Sequence, residues 1–170
     1  MNVERAEDFI YEVSEDAKYI NELVEEIVKQ CCENLDAYVT SIKDKITSDN
    51  YNVTDKELDD IVMTIPTLIY FASEVQERLG IRYDIAKSNK TQIFNEIFIN
   101  NDGNQGIKKA VAENKTFNEN MIVCVYDRSY NIIKSKISAA MEILQSAKKI
   151  ISRRMQSIEV TRLQPNKEKD

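Results

Sequence analysis

Residues 4–48 read ERAEDFIYEVSEDAKYINELVEEIVKQCCENLDAYVTSIKDKITS, a stretch without glycine or proline. Apolar side chains recur in it at Ile10, Val13, Ala17, Ile20, Val24, Ile27, Cys31, Leu35, Tyr38, Ile42 and Ile46. Steps of three and four place them on one face, so the spacing predicts a single long amphipathic helix. At about 1.5 Å per residue it would extend on the order of 65 Å. An apolar stripe of that length is stable only against another long helix, from the same chain or a neighbouring one.

Working outward, Ser48-Asp49-Asn50-Tyr51-Asn52 breaks the period, and Thr54-Asp55-Lys56-Glu57 has the Thr-x-x-Glu spacing of a capping box. A second helical pattern follows through Leu58, Ile61, Val62, Ile65, Leu68, Ile69, Ala72, Val75 and Leu79. Its run from Ile61 to Ala72 is the most hydrophobic in the chain and is expected to be central to the core. Pro66 is expected to kink this helix and Gly80 to end or bend it. Tyr83, Ala86, Lys90, Phe94, Ile97 and Phe98 carry the pattern on, giving central helices over 55–99. Asn100 to Gly106 reads as a loop, and a last long helix is predicted from Ile107 to Leu163. The tail 164–170 reads as flexible. The fold class is therefore all-α: long antiparallel helices in one domain spanning 1–163, self-associating because one chain cannot cover such stripes.

Composition excludes most chemistry. The 170 residues include no histidine, three glycines and two prolines. A many-stranded β fold would need more turn formers. Without imidazole there is no Ser-His or Cys-His pair and no histidine base, so the chain reads as non-enzymatic, with no cofactor. Cys31, Cys32 and Cys124 have no CxxC spacing; Cys31 and Cys124 fall on apolar faces and are expected to behave as small buried hydrophobes in a reducing cytoplasm. The acidic start MNVERAEDF is unlike a signal peptide, and no run approaches a membrane span. Carboxylate pairs such as Glu25-Glu26 point about 100° apart on a helix and read as solvated surface rather than a metal site.

The net charge of −6 hides a gradient. Residues 1–62 hold seventeen acidic against six basic side chains, and residues 131–170 hold four against nine. Two surfaces of opposite sign follow, suited to different partners or to each other across subunits. On the last helix at 100° per residue, with Lys134 at 0°, Lys148, Lys149 and Arg153 fall at roughly 320°, 60° and 100°, whereas the apolar residues lie between about 240° and 300°. The cationic face can track phosphates, with Tyr83, Tyr126 or Tyr130 as stacking surfaces for unpaired bases. It reads equally as a solvated face, or one paired with the acidic helix. Lys136 and Arg154, at about 200°, border the apolar arc and call for carboxylate or carbonyl partners, with acids of the first helix as the natural candidates.

The carboxyl-terminal half, from Lys108-Lys109-Ala110 through Tyr126, Tyr130 and Ile132-Ile133-Lys134 to Ala140-Met141-Glu142-Ile143-Leu144 and Ser152-Arg153-Arg154-Met155, resembles phage recombination mediator proteins of the UvsY type. The resemblance covers roughly residues 82–160 and rests mainly on helix-period hydrophobics and the Ser-Arg pair. The acidic amino-terminal helix has no counterpart in it. It implies a cytoplasmic, ring-forming homo-oligomer that binds single-stranded DNA and helps a RecA-like recombinase displace single-strand-binding protein, away from any membrane. It also implies that basic residues of the helix before the loop, here Arg82, Lys87 and Lys90, contact DNA. The competing reading is a helical oligomeric adaptor or host-directed inhibitor acting through its acidic first helix, as a docking face or a DNA mimic.

Overall fold

The computed structural model describes residues 15–46 and 53–163. They form four helices and, among the described residues, no strand: α1 (Glu15–Ile46), α2 (Asp55–Asn100), α3 (Gln105–Lys115) and α4 (Phe117–Leu163). The chain is all-α. Residues 4–14 and 47–48 of the expected first helix, and the tail 164–170, lie outside the described residues.

The capping box at the start of α2 forms. The Thr54 hydroxyl accepts from the Glu57 amide at 3.3 Å, and the Glu57 carboxylate accepts from the Thr54 amide at 3.0 Å. From there α2 runs uninterrupted for 46 residues, so neither Pro66 nor Gly80 ends it. Proline at 66 removes one intrahelical donor. Ile65, fully buried beside it, and the half-buried Ile69 tie this part of the helix to the core instead. Gly80 serves packing rather than termination: a Cβ there would lie 3.4 Å from Cε2 of Tyr130, so its bare backbone faces that ring.

The expected helix from Ile107 to Leu163 is divided. Its start is capped by Asn104, whose side chain accepts from the Ile107 amide at 3.0 Å, after a turn in which Gly103 takes a φ of 119° that L side chains rarely adopt. The break comes at Thr116, which leaves helical geometry at φ −100° and ψ 17°. Its hydroxyl donates to the Ala112 carbonyl at 2.8 Å, alongside its own amide at 3.0 Å. A buried hydroxyl that doubles up on one carbonyl closes α3, and α4 starts at the next residue.

The backbone groups into two compact units, one of residues 1–33 and 73–134, the other of 34–72 and 135–170. The second holds a contiguous apolar core of Leu35 and Ile42 from α1, Leu58, Ile61, Ile65 and Ala72 from α2, and Ala140, Leu144 and Ala147 from α4. The alanines let the α4 backbone approach closely, and Leu58 and Ile65 are almost fully buried. Here α1 and α2 are antiparallel: Tyr38 bonds Asp60 at 2.7 Å, and Lys45 faces Glu57 at 3.7 Å. Within the first unit α2 and α4 are antiparallel as well, Tyr130 meeting Gly80 and Asn120 meeting Lys90. Its buried side chains include Val24, Val28, Cys32, Leu79, Val125 and Ile133. From 80 to 111, by contrast, no side chain is fully buried.

Two expectations change. The thiol packed inside α1 is Cys32, 1% exposed, and not Cys31, which is half-buried like Cys124. The buried row of α1 runs Val24, Val28, Cys32, Leu35, one position off the Ile27–Cys31 row. And the run Ile61 to Ala72 is only partly interior: Met63, Tyr70 and Phe71 are 73%, 70% and 59% exposed.

Candidate nucleic-acid interface

Cations on a helix bind a polyanion only if the protein has not already neutralised them, and α4 sorts its own cations on that criterion. Lys136 donates to both carboxylate oxygens of Asp36 at 2.7 Å. Asp36 belongs to α1. Arg154 contacts the carboxylate of Asp55 and the carbonyl of Val53, at the start of α2 rather than on the first helix. Both cations sit at the edge of the buried face, where a charge needs a partner. Lys148, Lys149 and Arg153 are exposed on the same helix and make no ion pair among the described residues. Lys149 and Arg153, four residues apart, are neighbours on the surface.

Arg82, Lys87, Lys90 and Lys134 belong to the other unit. Lys134 and Arg82 are exposed and unpaired among the described residues. The Lys87 ammonium lies 5.5 Å from the centroid of the Tyr83 ring, a cation–π contact that leaves its charge available. Lys90 is committed: half-buried, it donates to the Asn120 side chain at 2.6 Å. The seven cations therefore fall into two groups, four on one unit and three on the other, of which Lys90 is the least free.

The aromatic platforms differ from the expected ones. Tyr83, Tyr126 and Tyr130 are all half-buried, and Tyr130 is taken up against Gly80. Among the described residues the exposed tyrosines are Tyr19 and Tyr70, the latter in edge-to-face contact with Phe71 at 5.5 Å. Elsewhere, burial and the hydrogen bond donated to Asp60 push the Tyr38 phenol up to about 12. Burial also raises the Cys31 thiol, with Arg82 pulling it back.

Sequence reasoning passed over Glu119. Its Oε2 is sheltered from solvent and has no hydrogen-bond partner. It lines a groove of about 330 Å³ with Arg82, Ile85, Ile93, Ile122 and Tyr126. Counting charges along the chain does not single out such a residue, because its sheltering depends on α2. Among the described residues no three metal-ligating side chains gather, and no helix is long and apolar enough to cross a membrane. Comparison with protein-family models, curated proteins and solved structures finds no match to the chain.

Proposed function

We propose that this chain is a non-enzymatic helical protein that binds single-stranded DNA along the exposed cationic face of α4 and acts as a recombination mediator for a RecA-like recombinase. The observation that carries this is the sorting of the α4 cations: Lys136 and Arg154 are neutralised by the fold, while Lys148, Lys149 and Arg153 are left free. Free cations release condensed counterions when they meet phosphates. Lys87 and Arg82 supply a second cationic region, and the resemblance over residues 82–160 supplies the mediator role and the involvement of single-strand-binding protein.

The test is fluorescence anisotropy of a labelled oligo-dT with the full chain at rising salt. Three phosphate contacts correspond to a log–log slope of about −2, roughly a fifteen-fold loss between 50 and 200 mM salt. Charge reversal at Lys148 with Lys149 is expected to weaken binding at least ten-fold, and Lys90→Ala to weaken it less than Lys149→Ala. Absent or salt-independent binding overturns the reading.

A second reading, an adaptor working by protein contacts that involve α1, is favoured by a different observation. In the first unit Tyr19, Ile81, Ile85 and Ile122 are each half or more exposed, more large apolar surface on neighbouring helices than solubility alone accounts for. It predicts a protein partner and no retention of bare DNA.

A further inference from the structure

We infer that the first unit carries a docking groove for a cationic amphipathic helix of a partner protein, with Glu119 as the residue that receives a lysine or arginine of that helix. The inference rests on the second reading above and names the chemistry of the partner. Ile122 and Tyr126 of α4 form a ridge between two grooves. On the α1 side, Tyr19, Leu23 and Ile27 line a groove of about 340 Å³ that is almost wholly apolar. On the α2 side, Arg82, Ile85 and Ile93 line the groove already described together with Glu119. The walls run from Tyr19 to Ile27 and from Asn118 to Tyr126, each about 12 Å of helix. Two turns of helix on either hand, with an apolar floor, suit a third helix laid along them through residues spaced i, i+3, i+4 and i+7.

Charge selects the occupant. Glu15, Glu22 and Glu26 lie beside Tyr19 on the outer margin of the α1 wall and are exposed. Glu22 retains only a 4.0 Å approach from Lys18, and Glu26 one bond from Gln30. Glu119 offers a sheltered Oε2 that accepts no hydrogen bond among the described residues, Arg82 of the same groove included. An acceptor left without a donor costs free energy that an incoming cation recovers, and the bond to a charged donor is the stronger kind. The remaining stretches of this chain do not fit: residues 1–14 carry Glu4, Glu7, Asp8 and Glu12 against Arg5, and residues 164–170 hold no apolar side chain larger than proline.

The experiment measures anisotropy of a labelled helical peptide of about 18 residues, leucines on one face and lysines on the other, against the full chain. Binding that weakens about ten-fold in Glu119→Gln and in Ile122→Asn, and stays within two-fold in Glu142→Gln, supports the groove. Both groove positions tolerate the change, Glu119→Gln being isosteric and Ile122 half-exposed, and circular dichroism verifies the helix content of each variant. Equal loss in Glu142→Gln, or none in any variant, overturns the groove while leaving protein contacts elsewhere. No binding to the cationic peptide overturns both. Light scattering of the chain alone provides the last arm: self-association that Ile122→Asn abolishes makes a second copy the occupant and overturns a separate partner.

Discussion

The two units bury their helices to different depths. In the unit formed by 34–72 and 135–170, three helices interlock through Leu35, Leu58, Ile65 and Leu144 around close-packed alanines. In the other, α2 passes from Gly80 to Asn100 without one fully buried side chain, and Ile81, Ile85 and Ile99 stand 59%, 55% and 73% exposed on it. One helix, continuous through both, is core in one place and surface in the next. The unit of 34–72 and 135–170 closes a contiguous core with its own helices, although Met63, Tyr70 and Phe71 stay outside it. The first unit, of 1–33 and 73–134, leaves its stretch of α2 open, the kind of surface that a partner can cover.

The sharpest way to break this contrast is to truncate one apolar side chain from each unit and compare urea midpoints. Leu58→Ala, at a position 1% exposed, is expected to cost about 2–5 kcal/mol. Ile85→Ala, at 55%, is expected to stay within about 0.5 kcal/mol. Equal losses would mean that the open unit is as tightly packed as the closed one.

A smaller effect separates the two informative glycines of the open unit. Gly103→Ala puts a Cβ on a φ of 119° and 3.3 Å from the Ile107 side chain, and is expected to cost about 1–2 kcal/mol. Gly80→Ala meets the Tyr130 ring at an ordinary 3.4 Å and gains helix propensity, so stability is expected to rise by up to about 1 kcal/mol. A loss at Gly80 would show that α2 and α4 pack there more tightly than the rest of that unit.

The smallest effect belongs to the closed unit. Tyr38 is raised above the ordinary phenol value, so the folded state holds its proton more tightly than the unfolded chain. That contribution is complete below about pH 10 and is lost as the pH climbs through about 12. Absorbance titration of the phenols should show one late transition that Tyr38→Phe removes; an unchanged curve would remove Asp60 from the account.

Much of this was readable from spacing. Leu58, Ile61, Ile65, Ala72 and Leu79 stand where the helical period puts them, and Thr54 with Glu57 forms its box because both partners lie within one turn. What spacing alone left open depends on which neighbour covers which arc. The 3.6 period tolerates a drift of one residue over several turns, so Cys31 and Cys32 were exchangeable until Val24, Val28 and Leu35 had taken the inner row. Tyr70 and Phe71 look like core because they are aromatic, yet they stand 70% and 59% exposed among the described residues. Thr116 carries no obvious stop signal; its hydroxyl ends α3 only because burial leaves it the Ala112 carbonyl. Among the cations, periodicity separated Lys136 and Arg154 from Lys148, Lys149 and Arg153. The particular acids Asp36 and Asp55, and the Asn120 amide that holds Lys90, emerge from contacts between residues far apart in sequence.

The three cysteines make the molecule its own clock. Cys32 is shut away at 1% exposure while Cys31, next along the chain, and Cys124 on α4 remain partly open. Alkylation in the native state therefore proceeds in two stages, the half-exposed thiols first and Cys32 only during excursions in which its helix lifts from its neighbours. The lag between those stages times the breathing of α1, so a helix seated on the unit formed by 1–33 and 73–134 would announce itself as a slower reaction at an unmodified, natural side chain.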